Sequence, residues 1–441
     1  MEQKELMGSL KVSKAVAKMA IPSVISSLVT VVYNMADTFF VGQTNDPLQV
    51  AAVSLTNPIF ILFMAFANMF GMGGSAVASM AMGEKKEERA KNASAFVAYA
   101  SFFVGIVFAA SLLLFMRPLL TLFGADAQTY AFAWGYTLHI SYGAPFIIWS
   151  AAASFVVRAD GASREAMIGS MIGTIANIVL DPVFISGFGM GAAGAAIATT
   201  IGNILACLYY LWYFMKKSRC LSIAPKDFKC GDGILTGVCV TGFPTAIFSV
   251  LMSVSTIILN QILVAYGNAP VAAIGIVFKA NMFITFLQLG LANGVQPLLG
   301  YNYGAGNRER FIAVDRFTKK CCLIVGILAT ALFFVFRETI IRLFINDADI
   351  IYYGVKMLVA YMLSGPFIGI LFVNMNCLQS TGNALPATIL SVLRQGLLLI
   401  PVLYLLNAVA GLNGVIYGQA LTDYVAVILS VVIWNRKKWI C

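Results

Sequence analysis

The chain has 441 residues, 60% of them hydrophobic and only 11% charged. Soluble domains carry about 45–50% apolar and about 25% charged residues, and no soluble fold of this length hides so much apolar surface from water. The composition excludes a cytosolic enzyme, a disordered chain and a secreted disulfide scaffold, and points to a polytopic membrane protein in which apolar side chains face lipid as well as the core.

A helix needs about 20 apolar residues to cross the hydrocarbon layer. In chain order, stretches of that kind fall at 16–41, 49–80, 94–116, 130–157, 166–186, 192–214, 234–264, 271–299, 321–336, 353–377, 385–407 and 412–434. The expected fold is an all-α membrane protein of twelve spans. An even number puts both termini on one side, and 23 of the 29 Lys and Arg residues fall on that side. The opposite side holds Arg117, Arg337, Arg342 and Lys356. This is the positive-inside pattern, so both termini are expected in the cytoplasm. The net charge of +10 is thereby a signal of orientation in a cell membrane rather than a nucleic-acid footprint. No short apolar segment with a small-residue cleavage site precedes the first span, which reads as a permanent helix. The eight cysteines, Cys441 among them, form no C-x-x-C pair and are expected to be structural, with no metal site.

The chain repeats itself. At an offset of 221 residues Pro145-Phe146 falls on Pro366-Phe367, Asp126 on Asp347, Gly73 on Gly294, Gly83 on Gly304 and Gly161 on Gly382. Gly191 and Gly194 map to Gly411 and Gly414 with one residue fewer. Six spans per repeat preserve orientation, so the two lobes are parallel and related by an axis along the membrane normal. The expected organisation is an N-lobe over 1–214, a cytoplasmic linker over 215–233 and a C-lobe over 234–441.

Charge inside a span costs about 2.5–3.5 kcal/mol on insertion scales, so each case needs a reason. Asp37 lies in the first span, and Asn177 and Asp181 share a face of the fifth. Asp37, Asp181 and Thr199 of the sixth span lie about five, six and seven residues from the outer ends of their helices, which puts all three at one depth. Two carboxylates, an amide and a hydroxyl can therefore converge. Pro182 frees the carbonyl of Ile178 as a further oxygen. Such a cluster suits a hard cation such as Na⁺ or a proton. In the second half Leu398 and Val402 occupy the positions of Asn177 and Asp181, and the acidic pair is absent. Lys279, Arg394 and Asp423 lie inside spans there, and are expected to form a buried ion-pair network that fixes packing; lining a substrate chamber is the alternative. Pro22 is a candidate hinge of the first span. His139, the single histidine, reads as a core residue. Gly71-Met-Gly73-Gly74 imitates a dinucleotide fingerprint without a βαβ context, and no Walker lysine motif is present. No cofactor is expected, and no enzymatic nucleophile–base pair is visible.

The chain resembles the multidrug and toxic compound extrusion (MATE) family. The resemblance rests on Asp37-Thr-Phe-Phe-Val-Gly42, Asn177-x-x-x-Asp181-Pro182, Gly191-x-x-Gly194-Ala-Ala, Gly294-x-Gln296-Pro297, Gly300-Tyr-Asn-Tyr-Gly304-Ala-Gly306 and Arg394-Gln-Gly. It implies efflux of chemically diverse, often cationic organic compounds in exchange for Na⁺ or H⁺, by rocking of two lobes in a monomer. It further implies a coupling-cation site of Asp37, Asn177, Asp181 and Thr199, with Tyr136 nearby. Family branches with acidic residues in the seventh and tenth spans are not matched here. A related-superfamily alternative is a lipid-linked oligosaccharide flippase, in which Lys279 and Arg394 would hold a pyrophosphate.

Overall fold

A computed structural model of the chain describes residues 3–44, 46–218 and 220–437. Arg219, Lys438 and Cys441 therefore lie outside the described residues. Among those described, every regular element is helical, as a bilayer requires of a chain whose backbone polar groups must be satisfied internally.

The spans are α1 Val12–Gly42, α2 Pro47–Gly83, α3 Glu87–Leu122, α4 Tyr130–Ala159, α5 Ser163–Gly187 and α6 Gly191–Lys216 in the first lobe. The second lobe holds α7 Ile234–Val264, α8 Asn268–Gly304, α9 Arg308–Val335 and α10, a pair Ala348–Met362 and Gly365–Ser380 bent by 47°. The final helical run divides at Gly411, whose φ of 56° and ψ of −140° are not helical, into α11 (384–410) and α12 (411–437). Twelve spans result. The ninth is longer than its hydropathy indicates, because Arg308, Arg310, Arg316, Lys319 and Lys320 continue the helix beyond the apolar stretch. A short helix Gln3–Gly8 precedes α1.

The repeat reappears in the backbone. Gly161 and Gly382 have φ of 74° and 73°, Gly191 and Gly411 of 54° and 56°, and Lys85 and Gly306 of 60° and 67°. These are left-handed turns at matching places, a region that favours glycine. Asp126 and Asp347 both accept backbone N–H groups at the start of a helix, from Thr129 at 2.8 Å and from Ile350 at 3.0 Å.

Both termini lie on one face. Asn302 and Arg310 donate to the Met7 carbonyl at 3.1 Å each, and Trp434 packs 5.9 Å from Phe311. Towards this face the lobes meet through backbone. A methyl on Gly73 would collide with the Val238 carbonyl, one on Gly83 with that of Tyr301, and one on Gly304 with that of Met80. Gly290 and Gly294 lie against the Cα atoms of Val24 and Ala20, where an added methyl would stand 2.8 Å away in each case. A cross-lobe hydrogen bond from Gln296 to the Met72 carbonyl, 3.4 Å, lies in the same half.

The first helix of each lobe is rooted in the other lobe. Val16, Met19 and Ala20 of α1 are buried with Val295, Leu298 and Leu371 of the C-lobe. Ile234 and Val238 of α7 are buried with Phe70, Val156 and Tyr210 of the N-lobe. Pro22 sits just above the rooted part of α1, which stays helical through it. The segment between α6 and α7 is pinned to α3: Ser94 exchanges hydrogen bonds with Ser222 at 2.8 and 3.0 Å, and Lys229 pairs with Glu88 at 3.0 Å.

Candidate functional site

Small residues bring α5 and α6 together. Gly202 faces the Gly173 carbonyl so closely that a side chain there would not fit. One turn further on, this approach presses Asn177 against Thr199. With the amide oriented as its neighbours require, Asn177 Nδ2 donates to Asp181 Oδ2 at 3.0 Å. Its Oδ1 accepts from the Thr199 N–H at 2.9 Å and from the Thr199 hydroxyl at 3.1 Å. Tyr33 of α1 then donates to Thr199 Oγ1 at 3.2 Å. A chain of hydrogen bonds thus runs Tyr33, Thr199, Asn177, Asp181, from α1 through α6 to α5. Each donor orients the next, and such networks strengthen cooperatively in a low dielectric.

Asp181 is 0% exposed, and Asn177 and Thr199 are buried with it. The second carboxylate oxygen of Asp181, Oδ1, has no hydrogen-bond partner. A buried carboxylate oxygen left open is expensive. Asp37, half-buried on α1, is close enough to interact electrostatically with Asp181. Tyr136 of α4 interacts with both carboxylates. The structure therefore gathers Asp37, Asn177, Asp181, Thr199 and Tyr136. It adds Tyr33, which sequence reasoning passed over although it lies four residues before Asp37 and so shares its helix face. The donors are all oxygen apart from the Asn177 amide nitrogen, a set that suits a hard cation or a proton. Beyond Asp181, α5 widens into a π turn, Val183–Gly187, where Pro182 interrupts the regular ladder; π turns are frequent at functional sites. His139 bonds its own helix, Nδ1 to the Gly135 carbonyl at 2.7 Å.

The C-lobe differs. Arg394 lies on a π turn, Leu393–Leu397. Its Nε donates to Asp423 Oδ1 at 2.8 Å, and Gln419 donates to the same oxygen at 3.0 Å. Ser364 donates to Asp423 Oδ2 at 2.9 Å. The guanidinium carbon stands 5.4 Å from the ring centres of both Phe248 and Phe372, in cation–π range. Ser255 holds the Gln395 carbonyl. Arg394 and Asp423 form the expected buried pair, knitting α7, α10, α11 and α12. Lys279 is a correction: it has no part in that network. It lies on α8, half-buried, because depth along a helix does not determine which way a side chain faces. Arg394 is paired with Asp423 while Lys279 makes no hydrogen bond or ion pair among the described residues, so the two are not joined in one network.

The MatE family profile matches the chain twice, over residues 22–183 and 244–405. The chain belongs to the MatE family. The two matches are separated by 222 residues at both ends, within one residue of the repeat offset of 221, and they begin at Pro22 and Pro244. Among relatives, the chain is 31% identical to the multidrug export protein MepA of Staphylococcus saprophyticus, covering 96% of this chain and 93% of that protein. It is 32% identical to MepA of Staphylococcus aureus over the same shares. Among solved structures, a multidrug resistance MATE family transporter described as outward-facing superposes with a TM-score of 0.94 at 24% identity, covering 99% of this chain and 98% of that one. A MATE structure described as straight superposes with a TM-score of 0.92 at 25% identity. This MatE protein is a multi-pass membrane transporter of the multidrug-efflux class, not an enzyme, and its two lobes are the two copies of the family fold.

Proposed function

We propose that the protein exports organic compounds from the cytoplasm in exchange for Na⁺ or H⁺, with Asp37, Asn177, Asp181 and Thr199 as the coupling-cation site. The observation that carries this reading is the open, buried Oδ1 of Asp181 at the end of a hydrogen-bond chain that begins on α1. Asp37 and Asp181 supply charge; Thr199 and Tyr33 supply neutral oxygens. Two carboxylates sharing a buried site repel each other unless a cation or proton lies between them.

Coupling to motion follows from α1. Its lower part is rooted in the C-lobe core, and its upper part carries Tyr33 and Asp37 into the N-lobe. Cation binding fixes the upper part, so the cation biases the angle between the lobes, and Pro22 is the place where α1 bends. Substrate and cation then favour different lobe arrangements. By linkage each weakens the other's binding by the same factor. The concentration of basic residues on the face of the termini, where the lobes are sealed, supports a cytoplasmic location for that face. One chain supplies both lobes, so the working unit is a monomer.

The test uses purified protein in lipid vesicles with a fluorescent cationic dye, under a Na⁺ gradient and a pH gradient applied separately. Uphill dye movement under one gradient identifies the ion. Movement under neither contradicts cation-coupled exchange.

A further inference from the structure

Lys279 stands apart from every group used so far. It is half-buried, and no hydrogen bond or ion pair to it occurs among the described residues. It lies eleven residues into α8, which begins at Asn268, or about 16 Å along the axis. A lysine stem is too short to carry its ammonium back over that length to the start of the helix. An intramembrane cation without a partner calls for a functional reason.

The helix periodicity shows what it faces. Ile274, Val277 and Ile284 of α8 are buried in the C-lobe core. Lys279 lies on the opposite side, in a stripe with Phe283, Phe286 and Gly290 at spacings of four, three and four. Gly290 is the residue that meets Val24 of α1. The stripe therefore looks across at the N-lobe, above the sealed seam. The pairs Gly290–Val24 and Gly294–Ala20 fix an antiparallel register between α8 and α1. Carried outward, that register sets Lys279 level with Met35, about 3 Å along the axis from Asp37. Gly275, one turn further out on the same side, has nothing within 4 Å of where a side chain would begin, so the stripe opens there. Phe283 and Phe286 below it are half-buried aromatic surface.

We propose that Lys279 is an anion subsite on the C-lobe wall of the cleft, which takes the carboxylate of an aromatic, amphiphilic substrate while Phe283 and Phe286 receive its ring system. The proposal rests on the efflux function and deepens it. The protein then handles aromatic acids and zwitterions through one wall. A carboxylate desolvated against an ammonium and an apolar floor is held by a charge-assisted hydrogen bond. Arg394 differs in that its charge is already balanced by Asp423, 2.8 Å from Nε.

The experiment compares three probes by fluorescence titration on the purified full chain: norfloxacin, which carries a carboxylate on an aromatic ring; its methyl ester, which does not; and ethidium, a permanent cation without an acid. Wild-type protein binds the acid about tenfold more tightly than the ester. Lys279→Met abolishes that preference while ethidium still binds, no more weakly than to wild type because a repelling charge has been removed, which also reports correct folding; Lys279→Arg retains the preference. Equal affinity of wild type for acid and ester overturns the proposal without recourse to any variant. So does equal weakening of all three probes in Lys279→Met, or a preserved preference there. Failure of the efflux reading is distinguishable, because it appears as absent ethidium transport by wild-type vesicles whatever the binding preference.

Discussion

Gly242 of α7 sits so close to the Met69 carbonyl of α2 that a methyl group on it would overlap the oxygen. The contact joins the two lobes, and Gly73 repeats it one turn away against Val238. Backbone meets backbone without side chains between, the close approach that small residues permit in membranes. The seam holds shut the half of the molecule nearer the termini. Gly242→Leu cannot form it and favours the arrangement in which that half is open. Cys239, half-buried on the same stretch of α7, is a native probe. In a background with the other cysteines replaced by serine, its labelling by a membrane-impermeant maleimide from the cytoplasmic side rises by about tenfold, equivalent to about 1.4 kcal/mol of population shift. Unchanged labelling would show that the seam is not the gate.

Tyr33 supplies the link from α1 into the site through its 3.2 Å hydrogen bond to Thr199. Tyr33→Phe removes only the hydroxyl. Loss of one hydrogen bond is worth about 0.5–1.5 kcal/mol, so the half-saturating concentration of the coupling ion rises by about two- to twelvefold. Transport at saturating ion is retained. The check is an ion titration of dye efflux in vesicles.

The C-lobe pair behaves oppositely from a coupling site. Arg394 neutralises Asp423 within the protein, leaving no call for an external cation there. Arg394→Met strands a buried carboxylate and destabilises the protein by about 3–5 kcal/mol, whereas Arg394→Met with Asp423→Leu recovers most of that loss. Thermal unfolding in detergent measures both. A double variant no more stable than the single one would contradict a purely structural pair.

Pro22 divides the rooted part of α1 from the part that carries Asp37. Proline in a helix interior removes a backbone hydrogen bond and eases bending. In Pro22→Ala the restored bond stiffens α1, and turnover falls by about tenfold while equilibrium ion binding stays intact. Parallel loss of ion binding would place Pro22 in the architecture of the site instead of the hinge.

Much of this was legible in the sequence, for physical reasons. A bilayer fixes helix length and forbids unexplained charge, so depth counting alone brought Asp37, Asn177, Asp181 and Thr199 to one level. The glycine positions exposed the repeat because left-handed turns at Gly161 and Gly382, and at Gly191 and Gly411, admit few other residues. Facing was less legible. Lys279 and Arg394 are both charged residues within spans, yet one is half-buried with no ion partner among the described residues and the other is locked to Asp423, a distinction set by packing between helices. Tyr33 escaped notice because a tyrosine in a span is unremarkable until its hydroxyl has a partner. The true length of α9 was hidden because hydropathy measures the membrane, not the helix.

The central claim is that cation binding at the N-lobe carboxylates drives export. Asp181→Asn preserves shape and the Asn177 contact but removes the charge. In vesicles this variant is predicted to keep dye binding, and to lose uphill dye accumulation under either a Na⁺ or a pH gradient. Uphill accumulation at the wild-type rate would contradict the account.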